Sequence, residues 1–262
     1  MTAFRPLSAL TPQERDRIRD FVAERGIVAL YFDTALEDLA RGIDNRLVLT
    51  GGAGAGVILG IRFSGLEVFT VIGMLDDAEL ASVLVRRMPA ELHVPEPVAA
   101  RLRPHLGARI ISAEDMRIET CAIGLARVRD PDCRVLSADD AARLTAFYAA
   151  HNPRSVFSPW MLAHPLVAVL EGDEIVAAAG VLALSRRLGW AMIGNFLTHP
   201  DRRGCGLAAR VGETLLAELR TIGLRTAALA TTDRNQAARR VYQRLGFTLA
   251  ERWIELDLAA IK

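Results

Sequence analysis

Cysteine and lysine are both scarce in this chain of 262 residues. The three cysteines, Cys121, Cys133 and Cys205, form neither a CxxC pair nor a Cys/His spacing typical of zinc sites. We therefore expect no disulfide framework and no bound metal, and this cysteine usage fits a reducing cytoplasm. Lys262 is the only lysine, so nearly all basic residues are arginine, a bias typical of GC-rich genomes.

An excess of one charge and long apolar runs are also lacking. The 32 basic residues nearly balance the 31 acidic ones, which leaves no strong field to hold nucleic acid or a membrane surface. The longest apolar run, Ile175–Leu184, is far shorter than the ~18–20 residues that span a membrane, and no signal peptide is recognisable. We expect a soluble, cytoplasmic protein that binds neither nucleic acid nor membranes.

Hydrophobic periodicity predicts the same order of elements in each half of the chain: two helices, three strands, then helix, strand, helix and strand. Leu106-Gly107-Ala108 and Leu245-Gly246-Phe247 follow the last helix of the two halves, 139 residues apart. The predicted helices cover 12–24, 34–41, 76–88, 98–104, 137–150, 207–222 and 235–245, with a short one within 151–162. The predicted strands cover 46–50, 56–63, 66–72, 91–94, 166–170, 175–184, 190–198 and 224–230, and two more begin at 109 and 248.

This repeated order predicts an α/β (α+β) fold with two tandem domains, residues 1–129 and 130–262. Each would be a mixed, mostly antiparallel sheet flanked by helices, and Asp130-Pro131-Asp132 would be the linker. One continuous mixed α/β domain is the alternative.

A glycine-rich segment, Arg203-Gly204-Cys205-Gly206-Leu207-Ala208, lies between a predicted strand and a predicted helix. Glycines let the backbone turn tightly, and a helix that begins there adds free amides and the positive end of its dipole. Such a loop suits a pyrophosphate, and Arg202, Arg203 and Arg210 are close enough in sequence to neutralise it. A plain strand-to-helix turn is the alternative.

A second motif begins at Asn235, 29 residues after Gly206 (235 − 206), which leaves room for one helix, one strand and two turns. Asn235 can cap a helix, and Tyr242 lies two turns further along the same face. A phenol there can donate a proton to a leaving group. The alternative is an aromatic side chain that only packs on the sheet.

These two motifs, in this order and context, resemble the GNAT superfamily of acyl-coenzyme A-dependent N-acyltransferases, over Arg134 to Asp257. Phe196-Leu197-Thr198-His199-Pro200-Asp201 also resembles the strand end that precedes the family's phosphate loop. The duplicated layout is similar to the branch that contains glycine N-acyltransferase-like proteins. The resemblance implies two tandem GNAT-like domains, of which 1–129 is degenerate and without a cofactor site and 130–262 is catalytic.

The resemblance further implies acetyl-CoA, or another short acyl-CoA, as cosubstrate. Its pyrophosphate would bind the amides of Gly204 to Ala209 and its pantetheine would lie along Phe196–Thr198. An amine would attack directly in a ternary complex, while Tyr242 would be the catalytic residue that protonates the thiolate. The implied cofactor-binding residues are Phe196, Leu197, Thr198, Arg203, Gly204, Cys205, Gly206, Leu207, Ala208, Ala209 and Asn235, with no metal ligand.

The sequence departs from the family pattern at its general base, since Ala230 stands where many relatives carry a glutamate. Either the amine arrives neutral or another group serves, with His151, Asn195 and Glu171 as candidates. Cys205 is expected to be a small loop residue and not a nucleophile.

The first half lacks the motifs. Gly73-Met74-Leu75-Asp76-Asp77 stands in place of the phosphate loop, and its carboxylates would repel a pyrophosphate. Glu96 and Arg103 correspond to Asn235 and Tyr242. The tract 51–56 matches no nucleotide-loop pattern and is interpreted as a flexible hairpin.

We therefore expect an N-acetyltransferase that acts on a small-molecule amine or amino-acid-like acceptor. Arg154, Arg186 and Arg187 would suit a carboxylated amine, whereas an acidic groove would suit a polyamine. Edge strands would allow a homodimer. The alternative function is a non-catalytic acetyl-CoA-binding sensor or assembly module.

Overall fold

The computed structural model describes residues 4–50, 56–63, 66–73, 76, 80, 84, 90–124, 127–152, 155 and 157–259. Contacts divide the chain into two compact units: unit 1 is Met1–Arg117 with Glu251–Lys262, and unit 2 is Ile118–Ala250. The predicted domain boundary at 129/130 lies further along the chain, and the predicted second domain includes the last strand, whose residues from Glu251 onward fall in unit 1.

The described elements follow the predicted order, except for two short strands that the sequence does not predict, Arg5–Pro6 and Cys133–Val135. The α-helices are α1 (Pro12–Val22), α2 (Ile27–Ala40), α3 (Glu96–Leu106), α4 (Ala141–His151), α5 (Leu207–Thr221) and α6 (Gln236–Arg244). The strands are β1 (Arg5–Pro6), β2 (Arg46–Thr50), β3 (Gly56–Phe63), β4 (Leu66–Gly73), β5 (Ala90–Pro95), β6 (Ile110–Ala122), β7 (Cys133–Val135), β8 (Leu166–Glu171), β9 (Glu174–Ser185), β10 (Trp190–Thr198), β11 (Thr226–Thr232) and β12 (Thr248–Leu258). Short 3₁₀ helices include Pro159–Ala163, within the segment for which a short helix is predicted.

Unit 1 is built on a sheet in which β1 to β4 pair in sequence order, each antiparallel to the next. Strand β5 joins β4 in parallel, and β12 pairs antiparallel with β5, with Ile254 opposite Val94. One face of this sheet buries an apolar cluster that includes Leu92, Val94 and Leu256 and is covered by α3.

Helix α1 begins as the sequence predicts. The Thr11 hydroxyl accepts a hydrogen bond from the Glu14 amide, the Glu14 carboxylate accepts one from the Thr11 amide, and Pro12 occupies the first turn. This reciprocal capping satisfies amides that have no acceptor within the helix.

Helix α2 is longer than predicted, and the prediction of a start near residue 34 is wrong. It begins at Ile27, directly after Gly26 at φ = +53°. Its first turns are buried at nearly every position, including Ile27, Leu30 and Phe32. A helix that is apolar on all sides has no amphipathic period by which to recognise it.

Unit 2 has a sheet in the order β6 (from Ile118), β11, β10, β9, β8 and β7. Strands β7 to β10 pair antiparallel in sequence order, and β10 pairs parallel with β11. Along β8, Leu166 and Ala168 belong to one apolar cluster and Val167 and Val169 to another, so both faces of the sheet are covered. Helix α4 covers the first cluster, and α5 and α6 cover the second.

Several predictions concern segments outside the described residues. These are residues 51–55 of the glycine tract, residues 74–75 and 77 at the place of the first-half phosphate loop, most of the predicted helix 76–88, and Arg154. No described helix is long and apolar enough to cross a membrane.

Candidate functional site

Strand β10 contains a bulge in the middle of unit 2. Gly194 lies opposite Gly180 of β9 but Leu197 lies opposite Ala178, so β10 holds one extra residue. We identify Asn195 as the extra residue, because its φ of +53° is left-handed. No other non-glycine residue that the structure describes has this conformation. Bulges bend a strand and redirect its edge.

The bulge is held from the α4 side of the sheet. The Tyr148 hydroxyl donates a 2.6 Å hydrogen bond to the Asn195 carbonyl oxygen, and the Asn195 side-chain amide donates to the Met161 sulfur at 3.4 Å. The Tyr148 ring stacks on Phe157 with centroids 5.0 Å apart. Burial raises the pKa of Tyr148, so its hydroxyl remains a donor at neutral pH.

Strands β10 and β11 are paired over only part of their length. Their parallel ladder runs from Trp190 opposite Thr226 to Met192 opposite Ala228, although the strands continue to Thr198 and Thr232. The end of β10 beyond the bulge is half-buried. Main-chain groups on this side of β10 are therefore not used by β11 and can bind an extended ligand as an added strand would.

A cavity of about 580 Å³ opens beside this part of β10. It is lined by the strand end, the glycine loop, the start of α5 and one face of α6: Phe196, Leu197, Thr198, Arg202, Arg203, Gly204, Gly206, Leu207, Ala208, Ala209, Asn235, Ala237, Ala238, Arg240, Val241, Tyr242 and Arg244. The structure thus brings Tyr242 and every implied cofactor-binding residue except Cys205 to one cavity. The Cys205 thiol is exposed and donates to the Arg203 carbonyl at 3.8 Å.

The glycine loop has the geometry of an anion cradle. Gly204 and Gly206 adopt φ = +82° and +77°, and Gly206 is the residue that caps α5. A Cβ atom at either position would meet no atom within 4 Å, so the loop is open. Amides 204–208 have no main-chain acceptor in the described part of the chain, and they lie at the positive end of the α5 dipole. The loop therefore fits a phosphate or pyrophosphate.

The arginines around the loop differ from the prediction. Arg210 does not line the cavity, because its guanidinium pairs with Asp130 and Asp132 at 2.6 Å. Arg210 thereby holds the pKa of Asp130 below its usual range. Arg202 lines the cavity, but its guanidinium also donates two hydrogen bonds to the Glu171 carboxylate, from Nε at 2.9 Å and from Nη2 at 2.7 Å.

Two cationic residues of the cavity, Arg240 and Arg244, are missing from the predicted site. Both are exposed residues of α6. Their spacing of four puts them one turn apart on α6, on the side that borders the cavity. The sequence would predict this role for the two arginines only if it were already known that the helix face of Tyr242 lines a site.

Tyr242 both packs and lines the cavity, which unites the two interpretations of this residue. It is 7% exposed, and its ring meets Phe196 edge to face, with centroids 5.2 Å apart. Its hydroxyl makes no hydrogen bond within the described residues, which leaves it available to a ligand. Burial, and secondly the charge of Glu119, raises the pKa of Tyr242, so the phenol stays protonated.

Asn235 caps α6 as predicted, since its side-chain oxygen accepts the Ala238 amide at 3.2 Å. The three candidates for a general base lie outside the cavity lining. Glu171 is paired with Arg202, the His151 ring lies 4.4 Å from that of His199, and Asn195 forms the bulge. Ala230, in β11, carries no titratable group.

Residues 128–247 match the family model described as acetyltransferase (GNAT) family. This part of the chain is a GNAT acetyltransferase-family domain, and members of this family use acetyl-CoA or another acyl-CoA as the acyl donor. The match indicates acyl transfer from an acyl-CoA. It covers the cavity and both motifs. No functionally curated protein sequence matches the chain.

Solved structures share the fold. A GNAT-family acetyltransferase structure from Novosphingobium aromaticivorans is 23% identical, with a TM-score of 0.63, over 78% of this chain and 89% of that chain. A Drosophila protein of 15% identity has a TM-score of 0.73, over 98% and 99% of the two chains. A tandem GNAT protein from the clavulanic acid biosynthesis pathway is 14% identical, with a TM-score of 0.61, over 98% of each chain.

Proposed function

We propose that this protein transfers an acetyl or short acyl group from acyl-CoA to a primary amine, and that residues 130–262 carry the catalysis. The observation that supports this most is a convergence: the edge of β10, the glycine loop and Tyr242 line one cavity. A loop that only reversed the chain direction would not need main-chain amides without acceptors, as residues 204–208 have, beside that cavity.

Binding of the acyl donor uses main-chain groups first. The amides of residues 204–208 would hold the pyrophosphate, and Arg203, Arg240 and Arg244 would balance its charge. The half-buried stretch Phe196–Thr198 would bind the pantetheine arm. When bound, acyl-CoA supplies an activated thioester carbonyl and a thiolate leaving group.

Groups of the protein would then stabilise the negative charge on the thioester oxygen and supply a proton to the leaving thiolate. An amide within Phe196–Thr198 would donate to the thioester oxygen, where negative charge develops. As the C–N bond forms and the C–S bond breaks, Tyr242 would give its proton to the departing sulfur. Cys205 takes no part, because its thiol does not line the cavity.

The amine must reach the site without its ammonium proton, since no carboxylate stands at position 230 and Glu171 is held by Arg202. The transfer then needs no base for the attack itself, and the proton released from nitrogen leaves to solvent. The rate should therefore follow the neutral fraction of the acceptor.

The acceptor is proposed to be a small-molecule amine or amino-acid-like compound. Arg186 and Arg187 follow β9 and precede Trp190, whereas the cavity begins at Phe196, so about 20 Å of strand separates the two places. We therefore do not place an acceptor carboxylate on these two arginines.

The test is thiol release from acetyl-CoA across a panel of primary amines, together with calorimetric titration of acetyl-CoA. Tight binding with release in the presence of some amines is expected. Binding without transfer to any amine would leave only a CoA-binding module, and no binding at saturating acetyl-CoA would overturn the assignment.

A further inference from the structure

Three side chains of the types that bind metals meet on the sheet of unit 1. In β5, alternate residues Ala90, Leu92 and Val94 are buried in the apolar cluster, so Glu91 and His93 lie on the opposite face. Glu255 of β12 lies directly opposite His93 in the strand register. Two carboxylates and one imidazole thus share one patch of a two-strand surface.

The three groups are close to one another. The His93 Nε2 atom lies 3.4 Å from a Glu91 carboxylate oxygen and 3.4 Å from a Glu255 carboxylate oxygen. The ligand atoms of all three residues lie within 4.8 Å of one another. The His93 Nε2 atom is itself buried and makes no hydrogen bond within the described residues.

The spacing of the three groups suits a shared cation as well as the direct ion pairs of a protonated His93 with the two carboxylates. A charge-assisted N–H···O bond is about 2.7–2.9 Å long, which is shorter than either separation here. Zinc binds imidazole nitrogen and carboxylate oxygen at about 2.0–2.2 Å, so neighbouring ligand atoms of a tetrahedral site are about 3.3–3.6 Å apart. Both 3.4 Å separations fall within that range.

We propose that Glu91, His93 and Glu255 bind one Zn²⁺ ion, with water as the fourth ligand. The three side chains are 19–26% exposed, so the cluster borders the surface. The imidazole and the small number of ligands favour zinc over magnesium, which prefers an octahedron of oxygens. The sequence-based expectation of no metal rests on Cys/His spacing. Spacing along the chain cannot reveal ligands that come from two strands far apart in sequence.

The site would have a structural role and does not depend on the proposed acyl transfer. Its ligands come from β5 and from β12, which are separated by most of the chain. A bound ion would therefore fasten the C-terminal strand to β5, and zinc should stabilise unit 1 against unfolding.

The test uses the full chain after treatment with a chelator, titrated with ZnCl₂ by calorimetry. We expect one equivalent of zinc to bind, and a thermal unfolding midpoint that rises with zinc. His93→Gln and Glu255→Gln should each weaken binding by about 100-fold or more. His105→Gln removes an exposed histidine of α3 in the same unit and should leave binding unchanged.

X-ray absorption of the zinc complex should show one nitrogen and oxygen ligands at about 2.0–2.2 Å. Absence of zinc binding, or zinc binding that survives both His93→Gln and Glu255→Gln, overturns the site. If circular dichroism shows that either variant is unfolded, Glu91→Gln decides by the same criterion. Equal affinity for Mg²⁺ would also contradict a zinc site.

Discussion

At the scale of single residues, Tyr242 carries the proposed proton transfer. Tyr242→Phe keeps the ring between Phe196 and Phe247 and removes only the hydroxyl. We expect kcat to fall about 10²-fold or more, with the KM for acetyl-CoA within a factor of two. Steady-state kinetics checks this, with Tyr31→Phe, a tyrosine of unit 1, as the control. An unchanged kcat would remove Tyr242 from its role.

The raised pKa of Tyr242 predicts the alkaline side of the pH profile. An acid whose pKa is raised stays protonated as the pH rises past its ordinary value of about 10. The rate should therefore follow the neutral fraction of the amine as the pH rises, with no loss of rate from Tyr242 below about pH 10. A pH series of kcat checks this, and a decline centred clearly below pH 10 would contradict it.

The glycine loop offers a matched pair of substitutions at the two ends of α5. Gly206 and Gly223 have φ = +77° and +87°, and a Cβ atom at either would meet open space. Substitution of either glycine by alanine should lower the free energy of unfolding by a similar ~1–2 kcal/mol, because of backbone strain. Only Gly206→Ala should displace cavity amides, so we expect the Kd for acetyl-CoA to rise at least about tenfold there and to stay constant in Gly223→Ala.

Calorimetry of acetyl-CoA binding, with chemical denaturation for stability, measures both glycine variants. Equal affinities of Gly206→Ala and Gly223→Ala for acetyl-CoA would mean that the glycine loop does not bind this ligand and only turns the chain.

At the scale of elements, the bulge in β10 positions the strand edge that lines the cavity. Tyr148→Phe removes the donor to the Asn195 carbonyl. We expect a loss of about 1–2 kcal/mol of unfolding free energy and a severalfold rise in the KM for acetyl-CoA. Denaturant unfolding and kinetics measure the two effects. A variant that matches the wild type in both would show that the bulge holds without this hydrogen bond.

The elements also show why local patterns predict some features well. Strand β10 and the Asn235 cap lie where predicted, because alternation and side-chain capping act within a few residues. Strand β11 begins at Thr226, two residues later than predicted, where β10 becomes its partner. The early turns of α2 are missed because burial on all sides erases the helical period.

At the scale of the whole molecule, the chain returns to unit 1 at its C-terminus. Ile254, Leu256 and Leu258 of β12 are buried in the unit 1 cluster, at roughly 1.5–3 kcal/mol per side chain. Their sum is comparable to the ~5–15 kcal/mol that stabilises a domain. A chain that ends at Ala250 should therefore lose the fold of unit 1 while unit 2 persists.

Hydrogen exchange locates this effect. In the chain that ends at Ala250, amides of β5 should exchange freely, whereas those of α5 should remain protected. Protection of β5 equal to that in the full chain would show that unit 1 does not depend on β12.

The sequence by itself determined what depends on neighbouring residues: the glycine loop at the start of α5, the Asn235 cap, the strand alternation and the family of residues 128–247. Only the tertiary structure decided that Arg240 and Arg244 face the cavity while Arg210 turns to Asp130, and that Glu255 meets His93. Local conformation follows from short-range sterics and hydrogen bonds. The direction of a long side chain and the partner of a strand follow from packing between segments far apart in the chain.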